Sequence, residues 1–197
     1  MVPGIDVSHY NGVIDWAKVA DSGVKFAYIK CTDGPTWEDP RWGFNTVGAR
    51  RAGIKIGSYH FLRRGVTGDQ LTQFIDKLNT LVPDDLPPCL DVELPGELPV
   101  LECAQRIADE LKRVPVIYTN RATAIGLPTE VSAYPLWLAD WGSSGIDGTP
   151  PWPVWTFWQY TDKGTVPGIS GDIDLDWFNG DDTAFAQFIE ESKGLTT

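Results

Sequence analysis

Hydrophobic positions along this chain fall into two alternating kinds of segment. Short runs of apolar, β-branched and aromatic residues occupy 3–8, 26–31, 55–61, 89–94, 114–119, 136–141, 155–160 and 172–178. Their length and composition predict eight strands. Between the first five lie stretches with helical punctuation or period. One opens at Asp15 as N-cap and stops at Gly23, and a second starts with Pro40 near its first turn and stops at Gly53. A third, over 67–81, spaces Leu71, Phe74, Ile75 and Leu78 along one face, and a fourth, over 98–113, does the same with Leu101, Ala104, Ile107, Ala108 and Leu111. Strands that alternate with helices predict a parallel sheet whose crossovers are helical.

The pattern changes after residue 120. The connections 121–134, 142–153 and 161–171 are rich in Gly, Pro, Ser and Thr, which argues against full helices there. Helical spacing returns only in the tail, where Asp181 and Asp182 are placed to cap a helix with Ala184, Phe185, Phe188 and Ile189 on one face. The expected fold is therefore α/β, a (β/α) barrel that lacks its later helices. No Pro/Gly-rich stretch is long enough to act as a linker, so a single domain is expected over 1–197.

A barrel gives meaning to "CLDVEL" at 89–94. In parallel barrels chemistry gathers at the C-terminal ends of the strands, and residues two apart on a strand share a face. Asp91 and Glu93 would then point into one space. The same logic sends Asp6, Lys30, Tyr59, Tyr118, Asp140, Trp141, Gln159, Asp174 and Asp176 to one rim. Acids without His or Cys support suit either a divalent metal or acid/base work on a glycosidic bond. Crowded carboxylates hold a proton on one member, and Glu93 is the expected holder. Nine Trp favour sugar, because indole faces pack against C–H faces, and six of them fall in the helix-poor final third. Most are expected in the core, with two or three left to touch ligand.

Composition removes other classes. A net charge of −11 with no basic run argues against nucleic acid. Cys31, Cys89 and Cys103, with His9 and His60, match no zinc spacing, so no metal and no cofactor is expected. The cysteines read as buried free thiols made in a reducing compartment, and the histidines as hydrogen-bonded structural residues. The N-terminal stretch lacks the features of a signal peptide and no run approaches the length of a membrane span, so neither export nor membrane insertion is expected.

The segments "GIDVSHYNGVIDW", "FAYIKCTDG", "GSYHF", "LDVE", "VIYTN", "LWLADW", "WQYT" and "DIDLDWFNG" resemble, in order and spacing, the glycoside hydrolase family 25 (Chalaropsis-type) lysozymes. The likeness covers essentially the whole chain. It implies a modified TIM-like barrel, (β/α)5 followed by three further strands, and N-acetylmuramidase activity on the β-1,4 bond between N-acetylmuramic acid and N-acetylglucosamine of bacterial peptidoglycan. It implies Glu93 as general acid, Asp91 as its assisting neighbour, and Asp6 and Asp174 as the remaining catalytic acids. Lys30, Tyr59, Tyr118, Trp137 and Gln159 sit where the family places substrate-contacting or supporting groups. The chain departs from the family pattern at Cys31, at Asp33, and at Asp176, an extra acid after Asp174.

The setting implied is a bacteriophage endolysin, made in the host cytoplasm without a signal peptide and acting on the cell wall as a monomer, with an exported bacterial autolysin trimmed of its signal fitting almost as well. No separate wall-binding domain is visible. The rival reading is a non-catalytic wall-binding relative with the same barrel, against which the intact acids count. A chitinase is disfavoured because Leu86, Pro88 and Cys89 break its acidic motif, and a metal-dependent deacetylase because its His ligands are missing.

Overall fold

A computed structural model describes residues 1–64, 69–80, 85–94, 99–142 and 147–193. The strands are β1 (Val2–Val7), β2 (Phe26–Asp33), β3 (Trp37–Glu38), β4 (Lys55–Phe61), β5 (Cys89–Asp91), β6 (Val116–Asn120), β7 (Leu136–Ala139), β8 (Phe157–Gly164) and β9 (Ile173–Phe178). The helices are α1 (Trp16–Asp21), α2 (Trp42–Arg51), α3 (Thr72–Thr80), α4 (Val100–Leu111), α5 (Arg121–Ala124) and α6 (Asp182–Ser192). Pairing runs β1-β9-β8-β7-β6-β5-β4-β2, and a further β1–β2 pairing closes the ring into an eight-stranded barrel. Each of the eight expected runs supplies one barrel strand.

Two features depart from the sequence reading. The short β3 lies outside the ring as a hairpin on β2, pairing Thr32 with Glu38 and Asp33 with Trp37. Two residues carry no periodicity, so no pattern announces it. The other departure is direction: β9 runs antiparallel to both β1 and β8, whereas the remaining ring pairs are parallel. Its beginning therefore lies beside the ends of the other strands, and Asp174 reaches the rim because it starts a strand.

Helix ends follow local chemistry. Asp15 caps α1 by accepting from the Lys18 amide, and Asp181 caps α6 by accepting from Ala184. Gly23 and Gly53, just past α1 and α2, take φ of +100° and +80°, where a side chain would be strained. Pro40 precedes the Arg41 cap of α2 and so lies outside the helix. The buried stripe of α4 is Val100, Cys103, Ala104, Ile107 and Ala108, shifted from the expected face so that Leu101 and Leu111 are only partly covered. Ala184 of α6 is exposed. The outer ends of the segments read as helices over 67–81 and 98–113 fall partly outside the described residues.

The core has two layers, because strand residues alternate between faces. Ile5, Val7, Ala27, Ile29, Ile117 and Leu138 point outward and pack under the helices. Where full helices are missing beyond β6, Trp152, Trp155 and Trp158 cover the outer face, all 9% exposed or less. These three are core residues, as expected for most of the tryptophans, and their indoles replace the absent helices. Val2, Phe26, Tyr28, Val116, Trp137, Phe157 and Phe178 point inward, and Phe185 and Ile189 of α6 join them. Phe185 packs against Phe26 and Phe178, so α6 stoppers the end of the barrel opposite the rim. Gly4 and Gly57 are also inward positions. A Cβ at Gly4 would lie 2.2 Å from the Phe26 ring and one at Gly57 2.4 Å from Tyr28, so these sites leave room for the rings. Each fully buried aromatic contributes about 1.5–3 kcal/mol.

Candidate active site

The barrel interior changes character from bottom to top along each strand. On β1 the inward series is Val2, Gly4, Asp6; on β2 it is Phe26, Tyr28, Lys30; on β5 it is Cys89 then Asp91. An aromatic floor therefore rises into a polar mouth. There a cleft of about 280 Å³ is lined by Asp6, Lys30, Tyr59, Asp91, Glu93, Tyr118, Trp137, Gln159 and Asp174, together with Ser8, Tyr10, Phe61, Trp141 and Asp162. All nine residues expected at the site line it. Ser8, Tyr10, Phe61 and Asp162 were not singled out in the sequence; the first two lie in the motif after β1, and position at a strand end is the signal that would have found the others.

Ring order sets who faces whom. β9 lies diametrically across from β5, so Asp174 faces the bank formed by Asp91 and Glu93. β7, with Trp137, lies across from β2, with Lys30. The cleft thus has acids on one axis and aromatic or cationic groups on the other.

On the β5 bank the strand ends at Asp91, and Glu93 stands beyond it, exposed. Asp91 is 5% exposed and its Oδ1 has no hydrogen-bond partner. Burial pushes its pKa well above the ordinary carboxylate value, the charge and hydrogen bond of Glu93 add to this, and Lys30 opposes it. The sequence reading expected the proton on Glu93; burial of its neighbour Asp91 favours a proton held between the two. Lys30 pairs with Asp33 at 3.2 Å, and its Nζ lies 4.9 Å from the centre of the Phe61 ring.

The opposite bank has three acids. Register places Asp6 beside Asp174 and Gly4 beside Asp176. Gln159 donates from Nε2 to Asp6 Oδ2 at 2.7 Å, and its Oε1 accepts from both Tyr118 Oη and Trp141 Nε1 at 2.9 Å. An indole N–H can only donate, so Trp141 fixes which end of the amide faces Asp6. Trp137 Nε1 donates to Asp176 Oδ1 at 2.8 Å, and Asp176 Oδ2 has no partner. Burial, then the neighbouring acids, raise Asp6 well above the ordinary value, and burial does the same for Asp176. Asp174, nearer solvent, is raised to about 6, chiefly by burial. Tyr59 and Tyr118 are pushed up by burial and then by Asp6.

Several polar residues lie elsewhere. Asp140, grouped with the rim acids from sequence, is held by Arg121 at 2.7 Å. His60 points outward beneath α3, bonded to Thr32 at 2.8 Å, and burial lowers its pKa to about 4. His9 pairs with Asp39 at 2.9 Å. Cys31, Cys89 and Cys103 are all buried. Among the described residues no cluster of three or more His, Cys, Asp or Glu side chains is arranged to hold a metal, and no helix is long and apolar enough to cross a membrane.

Comparison with known proteins extends this picture. The model of the glycosyl hydrolases family 25 matches residues 5–169. Lysozyme M1 of Streptomyces globisporus is 36% identical over 200 residues, spanning 91% of this chain and 68% of that protein. The N,O-diacetylmuramidase of Chalaropsis sp is 30% identical over 203 residues, 88% of this chain and 96% of that protein. The crystal structure of the bacterial lysozyme from Streptomyces coelicolor superposes with a TM-score of 0.86 at 34% identity, covering 97% of this chain and 98% of that one.

Proposed function

The chain belongs to glycosyl hydrolase family 25 and is a glycosidase, and on that premise we propose that it is an N-acetylmuramidase cleaving the β-1,4 bond between N-acetylmuramic acid and N-acetylglucosamine in peptidoglycan. The observation that carries this reading is the pair of acidic banks facing each other across one sugar-sized cleft. The related lysozyme and muramidase supply the substrate class.

Asp91 and Glu93 act as a unit. Burial makes it costly for both to be negative, so the pair retains a proton. Glu93, the member that reaches solvent, delivers it to the glycosidic oxygen as general acid; the bond from that oxygen to the anomeric carbon breaks, water adds to that carbon, and the proton the water sheds returns to the Asp91–Glu93 pair. Asp6 and Asp174 on the facing bank stabilise the positive charge that develops on the sugar ring. Gln159 holds Asp6 in place, while Tyr118, Trp137, Tyr59 and Lys30 shape the walls around the sugars. No step needs a cofactor.

The endolysin setting also stays our proposal: a monomer released at the end of a bacteriophage infection, with its three buried cysteines fitting synthesis in a reducing compartment.

The test is digestion of purified peptidoglycan by the wild type and by Glu93→Gln, with borohydride reduction and mass spectrometry of the new ends. Reduced muramic acid from the wild type and almost none from the variant is the expected result. Reduced glucosamine ends would show the other bond is cut. Binding without cleavage by either protein would favour a wall-binding relative.

A further inference from the structure

Beside the cleft, three aromatic rings stand in a row that the mechanism does not use. Tyr10 is 85% exposed and Trp37 39% exposed, with His9 between them at ring-centre distances of 4.0 and 5.1 Å. Three independent local structures hold this row in place. The turn His9–Asn11 is closed by a reciprocal cap, in which Ser8 Oγ accepts from the Tyr10 amide and Asn11 Oδ1 accepts from the Ser8 amide. Asp39, 2% exposed, accepts from both the backbone N–H and the ring Nδ1 of His9 at 2.9 Å. Trp37 rides on the β3 hairpin, whose Glu38 is anchored by Lys77 at 2.6 Å. Ordered, solvent-facing aromatic surface of this kind suits an apolar ligand face.

Its position says which ligand. Tyr10 lines the cleft itself, and Lys30, another lining residue, lies 5.7 Å from the Trp37 ring centre, so the ledge continues the cleft wall outward. It lies on the β2 side, diametrically across from β7, whose end carries Trp141, 53% exposed. A glycan lying along the axis from Trp141, crossing between the two acid banks, leaves the cleft over His9, Tyr10 and Trp37.

We infer that this ledge is a distal glycan subsite, which stacks an N-acetylhexosamine of the same strand beyond the sugars at the reacting bond. The rings take the C–H faces of the sugar, and His9, its Nδ1 committed to Asp39, keeps Nε2 as the polar edge available to a hydroxyl or acetamido group. The inference rests on the glycan-cleaving reading of the cleft.

Peptide-free peptidoglycan glycans of two, three and four disaccharide repeats test it. KM is measured for each with the wild type, Trp37→Ala and, as a control, Phe44→Ala, which removes an exposed ring on α2 outside the barrel. The wild type and the control should show KM falling as the glycan lengthens onto the ledge. Trp37→Ala should lose that gain, raising the long-glycan KM by about tenfold relative to the short one. An unchanged length dependence in Trp37→Ala overturns the ledge. Should the wild type cleave none of these glycans, the glycan-cleaving reading fails separately. Tryptophan fluorescence titration with the same glycans then decides the ledge: tighter binding of longer glycans that Trp37→Ala lacks supports it, and length-independent or absent binding overturns it.

Discussion

The two acidic banks are built from the same residue types and solve opposite problems. On β5 a buried carboxyl with one unpartnered oxygen is coupled to a neighbour that stands in solvent. On β1 and β9 three carboxyls crowd together with two neutral donors, an amide and an indole, to steady them. On the mechanism proposed above, the first arrangement lets a proton travel between interior and cleft. The second fixes negative charge in one direction while burial limits how much of it can exist. Depth and donor supply decide which task an aspartate performs.

Substitutions that break this division should differ in scale. Glu93→Gln removes the one carboxyl that joins the Asp91 proton to the cleft, and we expect kcat on peptidoglycan to fall by about 10³-fold with glycan binding retained. Gln159→Leu takes the donor from Asp6 and leaves Tyr118 and Trp141 without their shared acceptor. It should cost roughly 10- to 100-fold in kcat, with a loss on the order of 1–3 kcal/mol in denaturant unfolding.

The proton-carrying bank also sets a pH limit. Because the Asp91 pKa is raised, its proton persists above the ordinary carboxylate range and is lost as pH rises further. A pH–kcat profile should therefore fall on its alkaline side, and Asp91→Asn should move or abolish that limb while a change confined to the opposite bank leaves it in place.

Asp176→Asn sharpens the contrast from the other side. A raised carboxyl pKa means that the native state binds more protons than the unfolded chain between the ordinary value of 3.8 and the raised one. Stability therefore falls as pH rises through that window. Asparagine can still accept from Trp137 and removes the charge, so the variant should gain on the order of 1–2 kcal/mol at pH 7, roughly 2–8 °C in Tm. Below pH 4, where the carboxyl is protonated in both states, the gain should vanish. Equal Tm differences at both pH values would show that Asp176 holds no proton.

How much of this was legible in sequence depends on the range of the interaction. Asp15, Gly23 and Gly53 declare helix ends through neighbours a few residues away, and the strand runs declare themselves by composition. The nine expected site residues converge because strand ends in a barrel must converge. What stayed hidden depends on distant partners. Composition predicts that most tryptophans are core but does not say which, and Trp152, Trp155 and Trp158 are chosen by the outer face that the absent helices leave uncovered. Asp140 looks like a rim acid until Arg121 takes it. Asp91 is buried and Glu93 exposed because β5 stops between them, a boundary that the run "CLDVEL" does not mark.

The seam between β1 and β9 has a consequence in time. Asp6 and Asp174 become neighbours only when the antiparallel last strand docks beside the first and closes the ring. A ribosome has therefore passed residue 178 before the second acidic bank can assemble. A glycosidase with this topology lacks part of its cleft until that strand is made, and a chain broken off before Asp174 would keep Asp6 alone of the two neighbours. The longest-range contact in the barrel thus sets the earliest moment at which the cleft can exist.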